Sequence, residues 1–212
     1  LSSFSYHGRW AAASYCKIQV GKWDCGDACG GASVGTIPTL VFNRHAAIGF
    51  VAYHEQQERI IVSFRGTYSP RQALTDLKMH MTPFPPASTQ RGKVHSGFFV
   101  NYELVREEIL NEVTALRRRF PHFRIIVTGH SLGGALAALM ATALYEHDPT
   151  SVIYTFSYGA PRLGNPGLAK YIDSLPIHLV NMVYGYDFAP HTPTLGLEYV
   201  HAGRELWVHN GT

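Results

Sequence analysis

The sequence predicts an α/β fold in which a mostly parallel central sheet carries helices on both faces. Three observations predict it. Short apolar runs rich in β-branched and aromatic residues recur at 39–42, 48–53, 59–64, 124–128, 151–157 and 177–184. From residue 97 onward these runs alternate with stretches of helical period. One run, Arg124-Ile125-Ile126-Val127-Thr128, ends in Gly129-His130-Ser131-Leu132-Gly133 and passes straight into an Ala- and Leu-rich stretch at 132–145. No internal repeat, low-complexity tract or linker divides the chain, so 1–212 reads as a single domain.

Taken in order, residues 1–15 mix small and aromatic side chains and read as a helix packed on the body. The turn-rich stretch Trp23-Asp24-Cys25-Gly26-Asp27-Ala28-Cys29-Gly30-Gly31 follows, then a short strand at 39–42. Strands at 48–53 and 59–64 are joined by the polar turn His54-Glu55-Gln56-Gln57-Glu58, and the second runs into Arg65-Gly66-Thr67. Ser69-Pro70-Arg71-Gln72 has the form of a helix start, with a capping Ser, Pro at the first helical position and Gln placed to complete a capping box. Ala73, Leu74 and Leu77 give that helix a modest apolar face, and the Pro-rich stretch at 82–86 ends it. A short amphipathic helix between two breakers suits a movable lid as well as it suits a fixed surface helix. Tyr102, Val105, Ile109, Val113 and Leu116 recur at three and four, which predicts a helix over 97–120 stopped by Pro121. After the strand at 124–128 and the helix behind it come a strand at 151–157, a short helix at 169–172 and a strand at 177–184 that leads to Gly185-Tyr186-Asp187. Residues 198–208 have room for one more strand.

Composition narrows the function classes. With 46% hydrophobic and 16% charged residues the chain can bury a sizeable core. A formal charge of +3 is too small to point to nucleic acid, and Arg117-Arg118-Arg119 sits where cations suit the end of a helix. No apolar run is long enough to cross a membrane. The twelve histidines show neither His-Glu-x-x-His nor paired Cys/His spacing, so no metal and no cofactor are expected. Leu1 in the place of an initiator Met reads as a processed, secreted protein, and the sequon Asn210-Gly211-Thr212 agrees with secretion. Cys25 and Cys29, four apart, suit a small disulfide loop. Cys16 is then left over, either as a partner for a cysteine outside the chain or as an inert buried thiol.

The chemistry centres on Gly-x-Ser-x-Gly between a strand and a helix, the context of a nucleophile elbow. Ser131 is the expected nucleophile. In α/β-hydrolases the acid and then the histidine follow the serine in chain order. Asp187, just after a later strand, is the expected acid, whereas Asp173 and Glu198 read as surface charges. The N–H of Leu132 is one oxyanion donor and the Arg65-Gly66-Thr67 loop is placed to supply a second. Of the histidines after Asp187, namely His191, His201 and His209, spacing alone favours His201 or His209 as base.

The sequence resembles the fungal class 3 triacylglycerol lipases over nearly its whole length. The resemblance rests on Tyr15-Cys16, Trp23-Asp24-Cys25, Ser63-Phe64-Arg65-Gly66-Thr67, Thr75-Asp76-Leu77, Val94-His95-Ser96-Gly97-Phe98 and Thr128-Gly129-His130-Ser131-Leu132-Gly133-Gly134-Ala135. It continues through Pro161-Arg162-Leu163-Gly164-Asn165, Asp187-Phe188-Ala189-Pro190-His191 and the stretch from Tyr199 through His201 to Trp207. It implies an α/β-hydrolase fold with a short lid helix. It makes Ser131 nucleophile and Asp187 acid. Thr67, through hydroxyl and N–H, and Leu132 become the oxyanion donors, with Asp76 holding the Thr67 hydroxyl. The lid falls on Tyr68, Ser69, Pro70, Arg71, Gln72, Ala73 and Leu74, and a disulfide joins Cys25 to Cys29. His95 and His130 fall on positions that look structural.

The resemblance also removes His201 from the triad, because it falls on a His-x-Gly-x-Glu-x-Trp stretch whose histidine is not the base. The family base lies in a later His-x-x-Tyr-Phe segment, and the family partner of Cys16 is a cysteine near it. The expectation is therefore a large fragment whose C-terminal segment, cut away or a separate small chain, carries the catalytic histidine and is tied to Cys16 by a disulfide. A triad completed by His201 is the rival expectation. The implied function is a secreted serine carboxylic-ester hydrolase that cleaves acylglycerols at an oil–water interface through an acyl-enzyme. The alternatives are a feruloyl or mono/diacylglycerol-type esterase and, in another class, a catalytically dead lipid-binding module. Ala73, where many members carry Trp, with Arg71 and Gln72 beside it, makes the lid rather polar and predicts weak interfacial activation.

Overall fold

The structure, a computed structural model, describes residues 2–68, 80–85 and 91–209. Most of the expected lid, Asp76 and the Asn210 sequon lie outside the described residues. Helix α1 (Ser2–Ala13) precedes strands β1 (Thr36–Arg44), β2 (Ala47–His54) and β3 (Arg59–Phe64). A short ribbon, β4 (Met81–Pro83) with β5 (Lys93–His95), leads into α2 (Ser96–Arg119). Then follow β6 (Arg124–His130), α3 (Leu132–His147), β7 (Ile153–Tyr158), α4 (Pro166–Asp173), β8 (His178–Tyr184) and β9 (Arg204–Val208).

Seven strands form the main sheet in the order β1-β2-β3-β6-β7-β8-β9. The first two pairings are antiparallel, and every pairing from β3 to β9 is parallel. Strand alternation divides the core between the two faces. Ile60, Val62, Phe64, Ile125 and Val127 face the helices α2 and α3. Ile61, Ile126, Phe50 and Phe156 face α1, where Trp10 is fully buried and its indole N–H donates to Thr36 Oγ1 at 3.0 Å.

Local chemistry sets the helix ends. The imidazole of His95 caps α2 by accepting the Phe98 N–H through Nδ1 at 3.3 Å. Asn165 caps α4 by accepting the Leu168 N–H at 3.1 Å, with Pro166 at the first helical position. Helix α3 is apolar around its circumference because it lies between the sheet and α2, and residues 133–144 are all buried. Among the described residues no helix is long and apolar enough to cross a membrane.

Cys25 and Cys29 form a disulfide, and a single turn of 3-10 helix at Gly26–Cys29 closes the loop between them. Cys16 is a free thiol, half-buried, facing the Cys25 carbonyl at 3.6 Å. The strand expected at 39–42 extends to Thr36–Arg44, because antiparallel pairing with β2 recruits its polar flanks. The β4–β5 ribbon was not expected. Three residues per strand with Pro83 among them are too few to show a period, and pairing across the intervening residues makes the ribbon.

Candidate active site

Four loops meet at the carboxyl ends of adjacent parallel strands, where open α/β sheets gather their ligands. They follow β3, β6, β7 and β8 and carry Thr67, Ser131, Gly159 and Asp187.

Ser131 occupies the corner between β6 and α3 at φ 53° and ψ −127°, a conformation that costs about 1–3 kcal/mol for a residue with a side chain. Its N–H donates to Tyr158 O at 2.8 Å, and its carbonyl accepts Gly134 N–H at 2.8 Å, so the strain is held from both sides. The corner closes this tightly because the flanking residues are glycines. A Cβ on Gly129 would stand 2.2 Å from Gly133 O, and one on Gly133 would stand 2.4 Å from Phe64 O. Gly129→Ala is accordingly expected to destabilise the fold by about 3 kcal/mol, a fall of about 6–12 °C in the thermal unfolding midpoint. A midpoint within about 2 °C of the parent would contradict that packing argument.

The loop after β3 lies against this corner. A Cβ built on Gly66 would stand 3.1 Å from Ser131 Cβ and 2.5 Å from His130 O. Thr67 is thereby brought beside Ser131, and its buried Oγ1 has no hydrogen-bond partner among the described residues. Leu132 is the first residue of α3, in the turn whose N–H groups have no acceptor inside the helix. Hydroxyl and N–H together form the kind of donor set that accepts a developing oxyanion.

Asp187 is presented by the turn after β8. Its N–H donates to Tyr184 O at 3.0 Å, and its Oδ1 accepts Ala189 N–H at 3.0 Å. Oδ2 occupies the space a side chain at residue 159 would need, 2.5 Å from the Cβ position of Gly159, whose φ is 57°. Burial lowers the pKa of His130, and the negative charge of Asp187 opposes that shift.

Beside Thr67 opens a cavity of about 530 Å³ between α1 and the loops. Gly8, Ala11 and Ala12 leave it open on the helix side, and Tyr15, Tyr68 and Tyr158 form much of its wall.

The model of the class 3 lipase family matches residues 61–197. The chain belongs to the class 3 lipase family. The lipase of Rhizopus niveus is 34% identical over 221 residues, covering 100% of this chain and 55% of that protein. The secreted mono- and diacylglycerol lipase A of Penicillium cyclopium is 31% identical, covering 98% of this chain and 70% of that protein. The solved lipase of Rhizopus microsporus var. chinensis superposes with a TM-score of 0.91 at 32% identity, covering 98% of this chain and 74% of that one. The chain thus spans just over half the length of the Rhizopus niveus relative.

In this class 3 lipase chain Ser131, Leu132, Thr67 and Asp187 come to one end of the sheet, and Tyr68 stands at its rim, 73% exposed. The histidines after Asp187 are engaged elsewhere. His201 donates through Nε2 to Pro190 O at 2.7 Å and lies 3.5 Å from Glu205, which braces the turn after Asp187 against the start of β9. Burial lowers its pKa, while the Pro190 carbonyl and Glu205 act in the opposite direction. His191 and His209 pack against the indole of Trp207. Sequence reasoning missed that Tyr15 and His130 belong to this end of the sheet. Their pairing, 2.6 Å from Tyr15 Oη to His130 Nδ1, spans 115 residues, and although both fall among the residues of the resemblance, which marks His130 as structural, nothing in the sequence joins them.

Proposed function

We propose that this chain carries the nucleophile, acid and oxyanion donors of a secreted carboxylic ester hydrolase that cleaves acylglycerols at an oil–water interface. The observation that carries the reading is the strained backbone of Ser131, held at a strand–helix corner against the Gly66–Thr67 loop. Ser131 Oγ attacks the ester carbonyl as a histidine removes its proton. The oxyanion is received by Leu132 N–H and by the hydroxyl and N–H of Thr67. Collapse expels the alcohol with the proton from the imidazolium, and water then repeats the sequence on the acyl-enzyme. Asp187 accepts the Nδ1–H of that histidine and stabilises its cation. The apolar cavity beside Thr67 suits the hydrocarbon of such an ester.

The histidine comes from residues outside this sequence. The engagement of His201, His191 and His209 elsewhere supports this, and the half-buried thiol of Cys16 is available to tether the segment that carries it.

A fluorophosphonate probe tests the reading on the protein as secreted. Labelling at Ser131, located by peptide mass spectrometry, is the expected result. Binding of lipid vesicles without labelling would replace the enzyme with a lipid-binding module. Intact mass before and after reduction tests the tether, because loss of a second polypeptide on reduction is expected and an unchanged mass would defeat it. Thr67→Ala is expected to lower kcat about 100-fold with KM within about twofold, since the hydroxyl meets the oxyanion and not the ground-state carbonyl. Equal loss in kcat and gain in KM would argue for a role in substrate binding instead.

A further inference from the structure

We propose that Arg162 is a positioning residue for the catalytic acid, clamping the turn whose backbone holds the Asp187 carboxylate. The inference rests on the serine-hydrolase reading of the site. Between the end of β8 and the start of β9 the chain winds into two short 3-10 turns, Ala189–His191 and Leu195–Leu197. Backbone groups in such a stretch take partners from elsewhere when they leave water. Four successive carbonyls, those of Pro190, His191, Thr192 and Pro193, find theirs in two residues.

His201 donates through Nε2 to Pro190 O at 2.7 Å. Arg162 takes the other three. Its backbone N–H donates to Thr192 O at 2.8 Å, and its Nη1 donates to His191 O and to Pro193 O, each at 2.8 Å. Bonds from a guanidinium are charge-assisted and stronger than those between neutral groups. Thr192, gripped from both sides, in turn holds Ala189. Its N–H and its hydroxyl both donate to Ala189 O, at 3.1 Å and 2.8 Å. The N–H of Ala189 is the group that donates to Asp187 Oδ1, at 3.0 Å. Each step from Arg162 to the carboxylate is thus a hydrogen bond or a single residue.

A clamp orients only if its own base is fixed. Leu163 O accepts His95 N–H at 2.9 Å, and Gly164 O accepts Val200 N–H at 2.9 Å, so the residues after Arg162 are tied to β5 and to the segment before β9. Three residues before Arg162, the same loop supplies Gly159, whose missing side chain leaves the room that Oδ2 fills. The loop after β7 therefore sets both oxygens of the acid, Oδ2 through space and Oδ1 through the clamp. This has a consequence for the base. A carboxylate held in line favours the imidazolium and raises the pKa of the catalytic histidine, and a loosened one raises it less.

The test uses the active enzyme with its catalytic histidine in place. Arg162→Met keeps the stem and removes both guanidinium bonds. It is expected to lower kcat about tenfold with KM within about twofold. It is also expected to move the acid limb of the kcat/KM profile to lower pH by about half a unit or more, because the base then holds its proton less tightly. Arg162→Lys keeps a charged donor on a shorter stem and is expected to fall between the parent and Arg162→Met in both readouts. Thr192→Val removes the hydroxyl bond to Ala189 O at nearly constant shape. It is expected to lower kcat about threefold and to shift the limb in the same direction. A role in packing alone lowers the thermal midpoint and leaves the limb in place, so an unmoved limb in both Arg162→Met and Thr192→Val overturns the proposal. A folded Arg162→Met with kcat within about twofold of the parent overturns it as well. Should Arg162→Met not fold, the limb in Arg162→Lys and Thr192→Val decides in the same way. A parent that hydrolyses no ester and resists the phosphonate defeats the serine-hydrolase reading, whereas an active, labelled parent whose variants keep its limb defeats the clamp alone.

Discussion

Ser131→Ala is expected to lower kcat for ester hydrolysis by about 10⁶-fold and to abolish phosphonate labelling, while leaving the fold intact. The serine's neighbours are backbone groups, Tyr158 O on its N–H and Gly134 N–H on its carbonyl, and alanine keeps both. Its hydroxyl makes no capping bond to α3, so nothing structural is lost with it. The strain at φ 53° remains in the alanine variant, because it comes from Cβ and not from the hydroxyl. Ser131→Gly removes Cβ and is expected to unfold about 2–4 °C above Ser131→Ala, the equivalent of about 1 kcal/mol of relieved strain less the extra entropy of glycine. Calorimetry on the two variants checks the stability half of the argument, and steady-state kinetics the other. A Ser131→Ala enzyme within about 100-fold of the parent would remove Ser131 from the chemistry, because oxyanion donors and binding alone leave a much smaller residual rate.

Much of this arrangement was legible in the residues because it is local. The elbow is a run of neighbours, from β-branched Ile125 to Val127 through Gly129 and Gly133 into an apolar helix, and each choice fits a requirement of its own position. The same holds for α2, whose apolar spacing from Tyr102 to Leu116 gave its extent to within a residue at either end. Asp187 was expected from chain order and from its place after a strand, and the structure puts it in the turn that follows β8. What stayed hidden is non-local. Nothing near residue 159 announces that its missing side chain is the room taken by an aspartate 28 positions later. Tyr15 and His130 are two ordinary residues until α1 folds across the sheet, and the β4–β5 ribbon exists only through pairing. His201 is the instructive case. Chain order made it eligible as a base, and its bond to Pro190 shows that eligibility in sequence says nothing about where a ring nitrogen points.

Asp187→Asn is expected to lower kcat by about 10⁴-fold with the fold retained, an effect larger than the loss of one hydrogen bond. The turn decides which way the amide lies. Ala189 N–H needs an acceptor where Oδ1 now stands, so the amide oxygen takes that place and the amino group replaces Oδ2. That amino group points into the space in front of Gly159. The catalytic histidine, which needs an acceptor for its Nδ1–H, then meets an amino group in place of the carboxylate oxygen. It is held in the wrong tautomer and its cation loses a counter-charge. The backbone bonds of the turn, Asp187 N–H to Tyr184 O among them, do not involve the changed atom and keep the loop in place. The measurement is kcat beside the thermal midpoint. A loss under about tenfold, with the midpoint unchanged, would leave Asp187 as a positioning residue and send the search for the acid to another carboxylate.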